Sequence, residues 1–422
     1  MPINNEVQSR LLYALRSANK KSKYWNKVFK INKINLEQKH KLKFDQIPLL
    51  TKKDLLIDQQ KNSYLGKILS IKIDEVSRTH KTSGTSSKPL YIYLSKKDID
   101  DTIRVSKNCY LAAGVSKSDK IIHCLNFNMW SGGITDYQAL EATSAMCIPY
   151  GIGNTELLIK TIQDLKVNAI SCTPSYMQAI EQKCDELGVN PKKLGLRKGL
   201  FGGESLIQHR NLKKKIESTF GMKAIDANYG LSEILSIIGG EDVTKKNCLK
   251  FHGLEMLYIE LIDKKNKSIE IKNGTTGELV LSTLKKEGQP LFRYRTNDMI
   301  KIISVKKNKD QKITELFFNV MGRSDQMLII KGVNFFPESI SEMIINEFPK
   351  LNLDFKIVKP KSFDNISFID IVLDVKNKVD TTYKKVIKKT LEEKIRAIFT
   401  IKAIVNFKDF KENLSNKKNI FI

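Results

Sequence analysis

Hydroxyl groups, a glycine and a lysine are concentrated in one short run of the sequence, TSGTSSKP at residues 82–89. Hydroxyls and main-chain amides in a turn can surround a triphosphate, and Lys88 adds a positive charge. The GxxxxGK[ST] spacing of a Walker loop is absent, and LYIYL after the run predicts a strand. Taken alone, such a run is more often a solvated turn. Together with the strand-like VSRTH before it, it predicts a candidate phosphate loop between two strands.

Three further motifs follow in order along the chain. They are NYGLSE at 228–233, FRYRTND at 292–298 and GRSDQMLIIKGVNFFPESI at 322–340. Each has a plain structural explanation, as a strand-to-helix turn, a charged strand end and a surface hairpin. Separate explanations of this kind for every motif are jointly improbable, which favours one shared site.

In this order and spacing the four motifs resemble the adenylate-forming superfamily of acyl-CoA synthetases, luciferases and peptide-synthetase adenylation domains. Phenylacetate-CoA ligase is the most similar type. The likeness extends to IPLLTKKDL, to the stretch from SGGITDY to CTPSY and to FGGES, so it covers nearly the whole chain. It implies an acid–thiol ligase, which activates a carboxylic acid with ATP to acyl-AMP, releases pyrophosphate and then transfers the acyl group to the thiol of coenzyme A.

The resemblance assigns the phosphate and metal contacts. The implied ligands of the β- and γ-phosphates are Thr82, Ser83, Gly84, Thr85 and Lys88. Glu233 is implied to bind Mg²⁺ and, with Lys417, to be a catalytic residue. A carboxylate suits this role because a hard cation prefers oxygen ligands, and cations must neutralise two reacting anions.

The adenosine contacts are also implied by the resemblance. Tyr229 would stack on adenine, with a core aromatic as the alternative, and Asp298 beside Arg323 would accept the ribose hydroxyls. The main chain of three consecutive residues would line the adenine edge: Gly202, Gly203 and Glu204. The sequence departs from the family pattern at Ala227, where an aspartate is usual, and at Gln326, the second acid of GRSDD.

Aromatic and hydroxyl residues stand at the positions that form the acyl pocket in the resembling enzymes. They are Phe127, Trp130, Tyr137, Ser175 and Tyr176. The aromatics, with glycines at 132 and 133, can form a flat slot, which favours an aryl acid. Ordinary core packing explains them equally, and the residues do not identify the acid.

The elements that must position these residues follow from the apolar pattern. Short apolar runs alternating with amphipathic stretches after Val76 predict a layered α/β domain, and residues 256–320 predict a β subdomain. A helical segment before residue 75 is predicted to be a lid or a packing segment. After Gly322, strands and an amphipathic helix at 381–398 predict an α+β domain. Apolar residues recur in that helix at three- and four-residue spacing and predict one buried stripe: Tyr383, Val386, Ile387, Leu391, Ile395 and Ile398. The predicted domains are 1–322, which binds ATP and the acid, and 323–422, which the resemblance implies is mobile about a hinge at Asp325.

Bulk composition limits the class of protein. The chain has 422 residues, 41% hydrophobic and 28% charged, which fits two globular domains and excludes a disordered chain. It has no apolar stretch of roughly 18 to 20 residues and no apolar leader, which predicts a cytoplasmic protein without membrane contact. The six cysteines form no CxxC pair, and Cys248 with His252 supplies only half of a metal site.

Basic residues exceed acidic ones, 72 to 46, giving a net charge of +26. Lysines spread over a solvated surface are the simplest explanation, and the lack of interleaved aromatics disfavours a nucleic-acid partner. A positive field attracts ATP, CoA or an acidic acyl carrier protein, whose phosphopantetheine is the alternative acceptor. A catalytically degenerate, basic binding module is the alternative from another class. The resemblance also suggests a homodimer.

One prediction concerns the catalytic lysine, which the resemblance places beside the carboxylate during adenylation. The chain end NLSNKKNIFI matches the family poorly, so Lys417 is chosen and Lys418 is the rival. We expect Lys417→Ala to lose ATP–pyrophosphate exchange by about a hundredfold or more, because one fixed cation at the reacting charge is removed. The same variant should still convert supplied acyl-AMP to thioester. Lys418→Ala is the matched control, and unchanged exchange in Lys417→Ala would refute the assignment.

Overall fold

The fold is that of a computed structural model, and it covers most of the chain. The described residues are 4–37, 44–82, 89–206, 210–330, 333–335, 337, 340, 343–344, 347–348, 351, 353–358, 368–375, 379–399, 402–409 and 420–421. They divide into two compact units. The larger unit is Met1–Ile207, Lys213–Thr296 and Ile300–Val320, and the smaller is Gln208–Leu212, Asn297–Met299 and Met321–Ile422.

Helices and strands alternate after a helical N-terminal segment. Through residue 323 the helices are α1 (Asn5–Lys21), α2 (Lys23–Ile31), α3 (Lys52–Lys61), α4 (Lys96–Ala112), α5 (Ser131–Glu141), α6 (Thr155–Leu165), α7 (Pro174–Glu186) and α8 (Arg210–Phe220). Single 3₁₀ turns are formed by Phe44–Gln46, Ile73–Glu75 and Pro191–Leu194. The strands are β1 (Arg78–Lys81), β2 (Tyr91–Leu94), β3 (Lys120–His123), β4 (Met146–Pro149), β5 (Ala169–Cys172), β6 (Lys198–Gly202), β7 (Lys223–Leu231), β8 (Leu235–Asp242), β9 (Lys245–Phe251), β10 (Leu257–Ile262), β11 (Ser268–Ile269), β12 (Thr276–Thr283), β13 (Tyr294–Lys307) and β14 (Ile313–Arg323).

Twelve of these strands form one mixed sheet, in the order β11-β10-β12-β13-β14-β9-β8-β7-β6-β5-β3-β4. Strands β4, β3, β5, β6 and β7 run parallel and are joined through helices, whereas β7 to β9 pair antiparallel. The strands predicted for 256–320 are present, but they continue this sheet because β9 pairs with both β8 and β14. The chain passes from β3 outward to β4 and then back across β3 to β5. This reversal opens a crevice at the carboxyl ends of β3 and β5, where ligands bind in such sheets.

The N-terminal segment packs into the core of the larger unit. In α1 the buried residues Leu11, Leu15 and Ala18 recur at helical spacing on one face. Trp25 is buried, its ring lies 4.9 Å from that of Phe292 between centroids, and its indole N–H donates to the Pro290 carbonyl at 2.8 Å. These contacts connect the N-terminal helices to the segment that leads into FRYRTND.

The smaller unit contains short antiparallel strands, a three-stranded sheet and one long helix. The elements are β15 (Leu328–Ile330), β16 (Val333–Phe335), β17 (Leu353–Ile357), β18 (Phe368–Val375), α9 (Thr381–Phe399) and β19 (Lys402–Phe407). Strand β18 pairs antiparallel with β17 and parallel with β19. A parallel pair needs a crossover, and α9 supplies it. The helix predicted for 381–398 is therefore confirmed.

The predicted buried stripe of α9 was too wide. Ile387, Leu391 and Ile395 are fully buried, as expected. Tyr383, Val386 and Ile398, which were included in the same stripe, are exposed by 41%, 47% and 61%. The three buried positions recur every four residues and form one narrow line, and Val386 points about 100° away from it. Tyr383 and Ile398 lie in the first and last turns of the helix, beyond the buried stretch.

The predicted fold class is confirmed: a large layered α/β body with a strand-rich part, and a small α+β unit. The domain limits of 1–322 and 323–422, and the mobility of the second domain, stay predictions. No helix in the described part of the chain is long and apolar enough to cross a membrane. Among the described residues, no group of three or more His, Cys, Asp or Glu side chains is placed to hold a metal, and Cys248 is a buried free thiol.

Candidate active site

The predicted phosphate loop connects β1 and β2, which pair antiparallel from Arg78–Leu94 to Lys81–Tyr91. At its base the Thr82 amide donates to the Leu90 carbonyl at 2.9 Å, so the two ends of the loop are held together. Residues 83–88 lie outside the described residues, and with them the predicted ligands Ser83, Gly84, Thr85 and Lys88. The segments on either side of the loop are therefore joined by hydrogen bonds where β1 ends and β2 begins.

Glu233, the predicted magnesium ligand, lies among cations. The Lys52 ammonium is 3.0 Å from its Oε1, and the Glu233 side chain is only 7% exposed. The Lys286 ammonium is buried and donates to the main-chain carbonyls of Glu233 and of Ile234, the latter at 3.3 Å. Burial lowers the pKa of Lys286 to about 8, although the nearby Asp98 and Glu233 charges oppose that shift.

The main chain that carries Lys286 is fixed by a buried carboxylate. Asp98 accepts hydrogen bonds from the amides of Glu287 and Gly288, both at 2.8 Å. The same carboxylate completes the capping box of α4 with Ser95. Asp98 therefore holds the lysine-bearing turn against the start of α4.

His80 on β1 is a second buried nitrogen group at the base of the loop. Its Nδ1 lies 3.3 Å from the Met129 carbonyl, which can only accept, so the proton is on Nδ1. Its Nε2 is buried and has no partner in the described part of the chain. Burial lowers the pKa of His80 to about 4, with the positive charges of Arg78 and Lys286 acting in the same direction. His80 is therefore a neutral imidazole with an unused acceptor.

The predicted adenine-edge and acyl-pocket residues meet at the crevice. Gly203 follows β6 with a φ of +78°, and a Cβ there would lie 3.6 Å from both Trp130 and Thr173. The Ser175 hydroxyl, in the first turn of α7, donates to Glu204 at 2.8 Å, and the Ser175 amide donates to the same carboxylate at 3.2 Å. A carboxylate at a helix N-terminus is favourable, so Glu204 fixes its own loop to α7.

The remaining pocket aromatics surround His123, the last residue of β3. The ring centroids of Phe127 and Tyr137 lie 5.6 and 6.0 Å from that of His123 and 6.1 Å from each other. Phe127 is 36% exposed, as expected for a pocket wall rather than a core residue. Burial, with a hydrogen bond to Glu141, raises the pKa of Tyr137 to about 12, so its hydroxyl stays protonated. Tyr176 lies in the first turn of α7, with its hydroxyl 3.4 Å from that of Thr155.

A buried polar network lies under this aromatic cluster. His123 Nε2–H donates to the Gly133 carbonyl at 2.9 Å, and Nδ1 accepts from the Ser171 hydroxyl at 3.1 Å. Tyr110 hydrogen-bonds with Ser171, Asn228 and Asp136, and the Asn228 amide donates to Asp136. Burial raises the pKa of Asp136 well above its ordinary value, although hydrogen bonds from Ser236, Asn228 and Tyr110 oppose that shift.

Asn228 also approaches Gly202 so closely that a Cβ on Gly202 would lie 2.7 Å from the Asn228 Cβ. The next residue, Tyr229, is partly buried, and its ring meets that of Phe318 edge-on at 5.3 Å. The Asp226 carboxylate accepts from the Leu206 amide at 2.9 Å, so the acid displaced from the usual position supports the loop after β6. Tyr229 is thus anchored to the core on one edge, and this contact does not decide between its two predicted roles.

The predicted ribose and hinge residues form a cluster in the smaller unit. Arg323 reaches Asp298 at 3.3 Å and binds both carboxylate oxygens of Asp325, at 3.0 and 2.9 Å. The Asn297 side-chain amide donates to the same Asp325 carboxylate at 3.1 Å, and the Asn297 carbonyl accepts from the Ser324 amide at 2.7 Å. Asp298, Arg323 and Asp325 therefore lie side by side, and their ribose and hinge roles stay predictions.

Comparison with known proteins gives the family. The model of the AMP-binding enzyme family matches residues 6–284. The chain belongs to this family of AMP-binding enzymes. It is 30% identical to phenylacetate-coenzyme A ligase of Aromatoleum evansii over 344 residues, which cover 81% of this chain and 75% of that protein. It is 32% identical to the enzyme of the same name from Pseudomonas putida over 301 residues, which cover 71% and 65%.

Solved structures agree with the fold. A 2-hydroxyisobutyryl-CoA ligase in its postadenylation state aligns with 99% of this chain and 89% of its own, with a TM-score of 0.82 at 17% identity. The family match and the phenylacetate-coenzyme A ligase relatives confirm the resemblance to adenylate-forming enzymes and the predicted ligase class. The roles of individual residues in this AMP-binding enzyme stay predictions, and Lys417 and Lys418 lie outside the described residues.

The sequence missed four residues of this site in the AMP-binding enzyme: Lys52, Lys286, His80 and His123. Lys286 stands in the lysine-rich run LKKEG and His123 in the apolar run IIHCLNF, and nothing in either run distinguishes a site residue from a neighbour. Lys52 lies in IPLLTKKDL, where it is the first residue of α3 after the N-cap Thr51. Only the contacts among separate segments identify them.

One prediction follows from the burial of His123, which lowers its pKa from 6.5 to about 4. Between these pH values the unfolded chain binds a proton at this residue that the folded chain does not. The contribution of His123 to the free energy of unfolding is therefore fully present above pH 6.5 and is lost as the pH falls toward 4. We expect the thermal unfolding midpoint of His123→Gln to fall less than that of the wild type when the pH is lowered from 7 to 4.5. His80 and His252, whose pKa values are also lowered to about 4, retain part of the dependence of stability on pH in this variant. Parallel plots of the unfolding midpoint against pH for the two proteins, or an NMR titration of His123 near pH 6.5, would refute this.

Proposed function

We propose that the chain activates a carboxylic acid with ATP to acyl-AMP, releasing pyrophosphate, and then transfers the acyl group to the thiol of coenzyme A. Family membership supports the class of reaction. The arrangement around Glu233 carries the proposal for this chain. Its nearly buried carboxylate pairs with the Lys52 ammonium, its main-chain carbonyl accepts from the Lys286 ammonium, and it lies near Leu90 and Tyr91 at the end of the loop, which suits a metal-bound triphosphate.

The residues present fit a magnesium ion. Mg²⁺ is usually held by one or two carboxylates together with substrate phosphates and water, rather than by a cage of protein ligands. Glu233 would supply that carboxylate, and the lack of a larger ligand group among the described residues agrees with such a site. When bound, the ion would supply positive charge to the phosphate oxygens and favour pyrophosphate as the leaving group.

The chain's own residues must bring two anions together. Thr82, Ser83, Gly84, Thr85 and Lys88 would hold the β- and γ-phosphates. Tyr229 would stack on adenine, and Asp298 would accept the ribose hydroxyls while Arg323 orients it at 3.3 Å. Lys417 would neutralise the attacking carboxylate and the α-phosphate as their charges meet. The carboxylate oxygen then bonds to the α-phosphorus as the bond to the pyrophosphate oxygen breaks.

We infer an aryl acid as the substrate. Trp130 lies against Gly203, and Phe127 and Tyr137 enclose His123, so aromatic faces line the crevice at the ends of β3 and β6. A slot of this kind favours a flat ring by stacking and by excluding water. The relatives at 30% and 32% identity are named for phenylacetate, which agrees with an aryl acid.

The second half-reaction needs an acceptor thiol, and coenzyme A is the acceptor that we propose. Transfer to the phosphopantetheine of an acyl carrier protein is the alternative, because the net charge of +26 would attract an acidic partner. We further propose that the C-terminal domain rotates about Asp325 between the half-reactions, which requires Arg323 and Asn297 to release that carboxylate. The homodimer and the cytoplasmic location stay predictions.

ATP–pyrophosphate exchange with a panel of aryl, aliphatic and amino acids tests the activation step. We expect exchange with aryl acids at the highest kcat/KM, and AMP formation that depends on added coenzyme A. AMP release driven by a phosphopantetheinylated carrier protein, and not by coenzyme A, would support the alternative acceptor. No exchange with any acid, together with salt-sensitive DNA binding, would support the degenerate binding module instead.

A second prediction concerns the metal. Glu233→Gln keeps the shape of the side chain but removes its charge, so we expect the Mg²⁺ concentration for half-maximal exchange to rise about 10- to 100-fold. Glu186→Gln is the matched control, because Glu186 is exposed on α7 and its partners Gln182 and Lys183 lie on the same helix. A Glu233→Gln enzyme with the magnesium dependence of the wild type would exclude Glu233 as the ligand.

A further inference from the structure

Lys52 holds the carboxylate of Glu233 from the solvent side. Its ammonium lies 3.0 Å from Oε1, and its side chain is 40% exposed whereas that of Glu233 is 7% exposed. Lys286 contacts the same residue from the buried side through the Glu233 carbonyl. The carboxylate oxygens are therefore covered by one movable, partly solvated cation.

The main chain at Lys52 is fixed independently of its side chain. Thr51 and Asp54 form a capping box that begins α3 directly before Lys52. Further along α3, the Gln59 side chain donates to the Tyr91 carbonyl at 2.7 Å and accepts from the Tyr91 amide at 3.0 Å. Because Tyr91 begins β2, the helix that carries Lys52 is attached to the strand on which the loop of residues 83–88 ends.

The two ammonium groups at this place meet different partners. Lys52 lies on the carboxylate of Glu233, whereas Lys286 donates to main-chain carbonyls and is also close to the charge of Asp98. A divalent cation at Glu233 would repel an ammonium 3.0 Å from the same carboxylate oxygen. The ammonium must then find another anion, and the phosphates of the metal-bound nucleotide are the nearest ones that the reaction supplies. Hydrogen bonds between ammonium and phosphate are short and strong.

We propose that Lys52 is a nucleotide-binding residue, which neutralises Glu233 before the nucleotide arrives and moves to the triphosphate when the metal binds the carboxylate. The proposal rests on the proposed function, because it takes Glu233 as the metal ligand. A plain surface ion pair, by contrast, contributes little free energy and has no effect on nucleotide affinity.

Isothermal titration calorimetry of ATP, with excess Mg²⁺ and with EDTA, tests this without turnover because no acid is present. The variant is Lys52→Met, and Lys53→Met is the matched control, since the neighbouring Lys53 is exposed on the same turn of α3. We expect Lys52→Met to raise the Kd of ATP with Mg²⁺ about tenfold, equivalent to about 1.4 kcal/mol. In EDTA the Kd should change less than twofold, because Lys52 stays on Glu233 there. Lys53→Met should match the wild type in both buffers.

Lys52→Arg keeps the charge and should recover most of the affinity, and thermal unfolding of each variant reports whether it is folded. An unchanged Kd in folded Lys52→Met with Mg²⁺ would overturn the proposal. So would an equal loss in EDTA, or a lower Mg²⁺ requirement with the same ATP affinity, because Lys52 would then only block the carboxylate. Wild-type protein that binds no ATP with Mg²⁺ would instead refute the proposed function itself.

Discussion

A carboxylate withdrawn from water beside two ammonium groups is the constraint on which the rest of the candidate site depends. Removing such charges from water costs several kcal/mol each, and only close partners offset that cost. Glu233 meets Lys52 through its side chain and Lys286 through its carbonyl, and Lys286 also bonds to the Ile234 carbonyl. The main chain that carries each lysine must therefore be fixed. Asp98 fixes the turn of Lys286, and Gln59 fixes the helix of Lys52 to β2.

The sheet topology positions the other part of the candidate site, the predicted acyl-pocket and adenine-edge residues. The reversal of strand order between β3 and β5 leaves the carboxyl ends of parallel strands open, and Trp130, Thr173 and Gly203 meet there. Below them, burial lowers the pKa of His123 to about 4 and raises that of Asp136, and both side chains have hydrogen-bond partners. A neutral imidazole at this position adds no charge beneath the aromatic side chains.

In the smaller unit, one arginine contacts two residues for which functions are predicted. Arg323 binds Asp325 with two hydrogen bonds and reaches Asp298 at 3.3 Å, so a single guanidinium serves both the residue predicted to bind ribose and the residue predicted to act as a hinge. Under these proposed roles, nucleotide binding and domain movement would share one set of charges, because Asp298 and Asp325 bind the same guanidinium.

The sequence by itself determined the family, the fold class, the order of the motifs and most strands, since those depend on local periodicity and on residue types at fixed spacing. It predicted the helix at α9 but not its narrow buried face, and it could not separate pocket from core at Phe127 and Tyr137. Only the tertiary structure brought Lys52, Glu233 and Lys286 together and placed His123 under the aromatic cluster. The physical reason is that these contacts join segments far apart in the chain, so strand order and burial decide them, and neither is encoded in the neighbouring residues.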